Sequence, residues 1–107
     1  MKNATQIIGY ELSVSARNDG TLEAAYIRLR DAQVDQTREI IEDVLLADYD
    51  ADGNLLGIEI LAPVHLNDLA ELVDEANREP FQRFVKDTAP GGLVTAASSQ
   101  ASSTDDL

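Results

Sequence analysis

The sequence predicts a single α+β domain, an antiparallel β-meander of about four strands with a C-terminal helix packed on one face. Two observations carry this. Between residues 10 and 61, apolar side chains recur with a period of two in segments closed by Asp-Gly turns or by Pro63. From Leu66 the period changes to steps of three and four, the spacing of one helix face. A chain of 107 residues is one domain's length, and its core is of moderate size only if most of it folds.

Residues 1–9 carry little pattern and form a lead-in. Tyr10, Leu12, Val14 and Ala16 then alternate with Glu11, Ser13 and Ser15, which puts the apolar set on one face of a half-buried strand. In Arg17-Asn18-Asp19-Gly20 the Asp-Gly step supplies the positive φ of a tight hairpin. Residues 22–30 make a second strand, with Ala25, Ile27 and Leu29 on one face and Tyr26, Arg28 and Arg30 on the other. The stretch 34–49 reads as two strand segments, or as one strand bent near 42–43. A helix over 35–47 is the rival. Asp50-Ala51-Asp52-Gly53 is another turn, and Leu55–Leu61 is apolar enough to be buried on both faces, as a central strand or one covered by a helix.

Leu66, Leu69, Ala70, Val73 and Ala76 define the apolar stripe of a helix at about 66–78, which Asn67 or Asp68 can cap. Pro80 pushes residue 79 away from α geometry and is expected to end or restart the helix, leaving a short helical turn at 80–86. Phe81 and Phe84 are expected to pack on the sheet. Residues 88–104 are nearly all Ala, Ser, Thr, Gly, Pro or Gln, with too little apolar surface to offset chain entropy. The expected organisation is therefore a domain at 10–86 and a disordered polar tail at 87–107.

Twenty acidic and eight basic residues give a net charge of −12, and there is no Cys. Disulfides and thiolate zinc sites are thereby excluded, and an acidic surface repels phosphate backbones, so no nucleic-acid binding is expected. The apolar runs are only a few residues long and the N-terminus lacks a basic-then-apolar signal pattern, so neither membrane association nor secretion is expected and the protein is read as cytoplasmic.

The sharpest motif is Asp48-Tyr49-Asp50-Ala51-Asp52-Gly53 followed by Glu59, which satisfies an EF-hand loop pattern in which Asp48, Asp50, Asp52 and Glu59 would hold calcium. Its context argues for a hairpin, because Val44–Tyr49 and Leu55–Leu61 are better strands than helices. At about 3.3 Å per residue, a hairpin carries Glu59 roughly 10–17 Å from the turn carboxylates. His65 is the one imidazole of the chain and is read as a capping or surface residue. Without Cys or a second His, neither a metal cluster nor a His-assisted nucleophile has its parts, and no Ser has an activated setting. No enzymatic activity and no cofactor are therefore expected. Tyr26, Arg28 and Arg30 concentrate positive charge on an acidic protein and are the candidate partner-binding residues, with a solvated face and cross-strand ion pairs to Glu11 or Glu42 as the alternative.

The segments Glu23–Leu29, Thr37-Arg38-Glu39 and, most specifically, Asp48–Leu61 resemble DUF2283, a family of small bacterial proteins of unknown function. The resemblance covers about residues 10–62. It implies a compact β-meander in which the calcium-like spacing belongs to a hairpin, and it brings no activity to transfer. The resemblance also implies an antitoxin role, as for members encoded beside small ribonuclease-like toxins. Ala62-Pro63 and the helical extension depart from the family pattern.

The expected function is non-catalytic protein–protein interaction with self-association as a homodimer. An acidic antitoxin-like partner of a small basic protein is the alternative, and a calcium-binding module is a further one. The charge is unevenly placed: residues 35–59 hold eight acids (Asp35, Glu39, Glu42, Asp43, Asp48, Asp50, Asp52 and Glu59) against Arg38 alone. Such polarity steers a partner.

Overall fold

In the computed structural model, residue 7 and residues 9–95 are described. Strands β1 (Glu11–Ala16), β2 (Leu22–Arg28), β3 (Gln36–Ile41), β4 (Leu45–Tyr49) and β5 (Leu55–Ile60) form one antiparallel sheet, and helices α1 (Leu66–Ala70) and α2 (Glu75–Thr88) complete an α+β fold. A two-residue parallel pair joins β6 (Val64–His65) to β7 (Val94–Thr95) across the two helices.

The turns follow from local chemistry. Gly20 and Gly53 take φ of 90° and 86°, and their N–H groups donate to the carbonyls of Arg17 and Asp50. The Asp19 carboxylate accepts the Thr21 N–H at 2.9 Å. Asp50 accepts the N–H groups of Asp52 and Asn54 at 2.9 and 2.8 Å and the Asn54 side-chain amide at 3.0 Å. These bonds, the Asn54 side chain's first, hold the Asp50 carboxyl below the usual carboxylate range. Between β3 and β4 the chain reverses through Asp43 at φ 61°, where the Glu39 carboxylate accepts the Asp43 N–H at 2.9 Å. The stretch 34–49 is thus two strands and not a helix. This brings the sheet to five strands where about four are expected.

The sheet is meander-like, but its order is β1-β2-β5-β4-β3. The β1–β2 hairpin and the β3–β4–β5 meander meet where β5 pairs with β2, so the apolar strand at 55–60 is central, as its composition predicts. Register then stacks Ala25, Ile60 and Leu45 in one row and Ile27, Ile58 and Ala47 in the next. All six are 0–2% exposed and join Leu69, Val73, Phe81 and Val85 of the helical layer in one core. Tyr10, which precedes β1, packs against Phe81 and Phe84 with ring centroids 5.7 and 5.4 Å apart.

The helical region departs from expectation in two ways. The single helix at 66–78 is broken after Ala70, and the second helix runs through Pro80 instead of stopping there. Neither Asn67 nor Asp68 is the cap, since α1 begins at Leu66 with His65 in the N-cap position. The break is held by Arg78, whose guanidinium donates to the carbonyls of Ala70 at 2.9 Å and Val73 at 2.8 and 3.2 Å, a cap that only the second helix can deliver. Pro80 is the sixth residue of α2, is exposed, and cannot donate to the carbonyl of Ala76. Packing of Phe81 and Val85 outweighs that loss. Pro80→Ala is accordingly expected to stabilise the fold by about 1–3 kcal/mol in urea denaturation. A loss of stability would show that proline sets the helix direction.

The polar tail also begins later than expected. Residues 87 and 88 are helical, and Leu93 and Val94 are buried at 4% and 7% exposure, with the Val64 N–H donating to the Leu93 carbonyl at 2.9 Å. The expectation of a disordered tail therefore fails for 87–95, while residues 96–107 lie outside the described residues. Residues 1–6 and 8 of the lead-in do so too.

Candidate functional site

Helices cover one face of the sheet, and the other face carries its polar residues. Strand alternation sets Tyr26 and Arg28 of β2 there, opposite Glu59 and Gly57 of β5, which in turn face Leu46 and Asp48 of β4. The Tyr26 ring crosses β5 over Gly57, the one position in that row without a side chain to block it, and its hydroxyl donates to Asp48 at 2.9 Å. Thr37 of β3 donates to the other Asp48 oxygen at 2.6 Å. One carboxylate on β4 thus ties β2 and β3 together, with the Tyr26 side chain reaching it across β5 and Thr37 from the directly paired position on β3. Gly57 is buried although it lies on the open face, because the aromatic ring covers it.

Burial pushes the Tyr26 hydroxyl up to about 12, with the hydrogen bond to Asp48 and the charge of Asp48 acting in the same direction. The folded state therefore keeps a proton that the unfolded chain loses near pH 10. This stabilisation is complete below pH about 10 and is lost as pH rises toward about 12. Denaturation profiles are expected to fall over that interval, and Tyr26→Phe should flatten part of the fall. The remainder belongs in part to Tyr10, which burial and Asp74 also raise. An identical slope in the variant would remove the assignment.

The candidate partner-binding residues do not stay together. Arg28 lies beside Tyr26 on the open face, 3.5 Å from Glu11 and 3.6 Å from Asp31, so the cross-strand pairing to Glu11 forms. Arg30 leaves that face. The N–H groups of both Leu29 and Arg30 donate to the Leu56 carbonyl, so two residues oppose one and the alternation slips. Arg30 instead donates to the Leu55 carbonyl and lines a cleft of ≈370 Å³ with Tyr49, Asn54, Leu72, Val73 and Asp74.

The four carboxylates of the calcium-like pattern are spread along the β4–β5 hairpin. Asp48 is bonded to Tyr26 and Thr37, Asp50 is spent on the turn, Asp52 is exposed at the tip, and Glu59 stands between Tyr26 and Leu46. Among the described residues, no group of three or more His, Cys, Asp or Glu gathers to hold a metal. His65 is exposed, and its Nδ1 lies 2.9 Å from the Thr95 hydroxyl across the β6–β7 pair. Sequence reasoning missed this pair because Thr95 falls in the segment read as a tail.

Among the described residues, both edges of the sheet are open. β1 is exposed at all but Leu12, and β3 at all but Ile41. Val14 on β1 and Ile40 on β3 are 44% and 39% exposed. Among the described residues, no helix is long and apolar enough to cross a membrane.

No curated protein and no solved structure gives a significant match to the chain. The family model described as Protein of unknown function (DUF2283) matches residues 19–62, from the first Asp-Gly turn to just past β5. The matched part of the chain forms β2 to β5, is similar to that family and includes Tyr26, Gly57 and Asp48.

Proposed function

We propose that this protein is a non-catalytic protein–protein interaction module that associates with a second copy of itself. The observation behind this is that, among the described residues, β1 and β3 are the end strands of the sheet, each largely exposed and carrying a large exposed apolar side chain. Such edges are templates for strand pairing, and small sheets gain stability from added cover. A non-catalytic role is consistent with the placement of the chain's one imidazole, which is exposed and does not line the cleft at Arg30.

Sedimentation equilibrium of the full chain is expected to give twice the chain mass, with dissociation on dilution. A strict monomer at high concentration would overturn self-association. A second reading, neutralisation of a small basic partner, draws on the acids gathered in residues 35–59. It predicts a small basic protein encoded beside this gene that co-purifies with the chain, and a neighbourhood without one would sink it.

A further inference from the structure

We infer that the self-associating edge is β1, and that two copies join through antiparallel β1–β1 pairing into one continuous sheet. This rests on the self-association just proposed and adds the surface and the direction of pairing. The two edges differ in sequence and in charge. β3 (Gln-Thr-Arg-Glu-Ile-Ile) carries Arg38 and Glu39 at its centre and is interrupted by a register shift between Glu39 and Ile41. Central charges and bulges are the devices that keep a sheet edge from pairing. β1 (Glu-Leu-Ser-Val-Ser-Ala) carries one charge, at its first residue, and although its register also shifts, between Ser15 and Ala16, the shift falls at the strand's end and leaves Glu11 to Ser15 in regular pairing. Glu11 is already engaged by Arg28.

Two-fold symmetry sharpens the contrast. With the axis perpendicular to the sheet, both copies keep their helices on the same side, so residues of the same facing stand opposite each other. On β3 the central registers would then set Arg38 against Arg38 of the second copy, or Glu39 against Glu39. On β1 a register centred on Ser13 sets Leu12 against the second copy's Val14 and Glu11 against its Ser15. A register centred on Val14 sets Ser13 against the second copy's Ser15. Neither juxtaposes like charges. Both place Val14, now 44% exposed, beside apolar neighbours on the helix side, where Leu12 already touches the core.

The charge of the whole chain points the same way. Residues 10–34 hold Glu11, Asp19, Glu23 and Asp31 against Arg17, Arg28 and Arg30, close to neutrality, whereas residues 35–59 hold eight acids against one Arg. Pairing through β1 keeps the acidic strands β3 and β4 of each copy at the outer ends. Pairing through β3 would bring them together.

The chain has no Cys, so single-cysteine variants report the contact without background. Ser13→Cys and Val14→Cys, one on each side of the sheet, are to be oxidised mildly beside Arg38→Cys and run without reductant. The expected result is cross-linked dimer from at least one β1 variant and none from Arg38→Cys. Val14→Lys is expected to raise the dimer dissociation constant by about ten-fold or more while leaving the circular dichroism spectrum unchanged, since it places a charge on the paired edge. A dimer that cross-links through Arg38→Cys alone, or that Val14→Lys leaves intact, would overturn the β1 assignment and leave self-association standing. A monomeric parent chain would overturn both.

Discussion

Phe81→Ala is expected to remove about 3–5 kcal/mol of stability, the largest loss of any single truncation considered. Phe81 is fully buried and is the largest of the fully buried side chains. It projects from α2 into the core shared with β2, β4 and β5, and it meets the edge of the Tyr10 ring at 5.7 Å. Its truncation removes apolar contact from the sheet, from the helix and from the segment before β1 at once. Because a domain of this size is stable by about 5–15 kcal/mol in all, the urea midpoint should fall by about a fifth or more with little change in slope. The half-buried Phe84, one turn along α2, gives the comparison: its truncation should cost clearly less. A loss below about 1 kcal/mol for Phe81→Ala would mean that α2 is not docked on the sheet.

Gly57→Ala is expected to cost about 1–3 kcal/mol, although alanine normally suits a strand better than glycine by about 0.5–1 kcal/mol. The reason is the ring above it. A Cβ at residue 57 would come within 2.8 Å of Tyr26 Cε2 and closer still to Cζ and Oη, so the tyrosine has to leave its place over β5 and its bond to Asp48. A double-mutant cycle isolates this. In a Tyr26→Ala background the same Gly57→Ala change should be neutral or stabilising, since the obstacle is gone and the strand propensity remains. In a Tyr26→Phe background it should stay costly, because the ring carbons that block the Cβ are still there. Equal effects in the Tyr26→Ala and parent backgrounds would refute the contact.

Much of the architecture was legible because period and turn chemistry are local properties. Ala25, Ile27 and Leu29 were identified as inward-facing by alternation alone, and they are the buried residues of β2 and its extension. Both Asp-Gly turns could be placed because positive φ is cheap for glycine, and the hairpin reading of 48–59 followed from the poor helix potential of its flanks. Arg30 was misplaced by the same logic, since alternation holds only while the ladder is regular and a bulge at Leu29 and Arg30 breaks it. The Tyr26, Asp48 and Thr37 network was not read, for its members are 22 and 11 residues apart and meet only through strand order. One signal was available: an isolated Gly inside an apolar strand marks a close approach of another group.

The amino-acid sequence by itself determined the class of fold, the strands with their inward faces, the turns and the uneven charge, because each depends on residues a few positions apart. The tertiary structure alone decided the insertion of β5 between β2 and β4, the passage of α2 through Pro80, the docking of Leu93 and Val94, and the Tyr26 bridge over Gly57. Each of these is a balance between a local preference and burial against distant segments, and the burial term exists only once those segments have met.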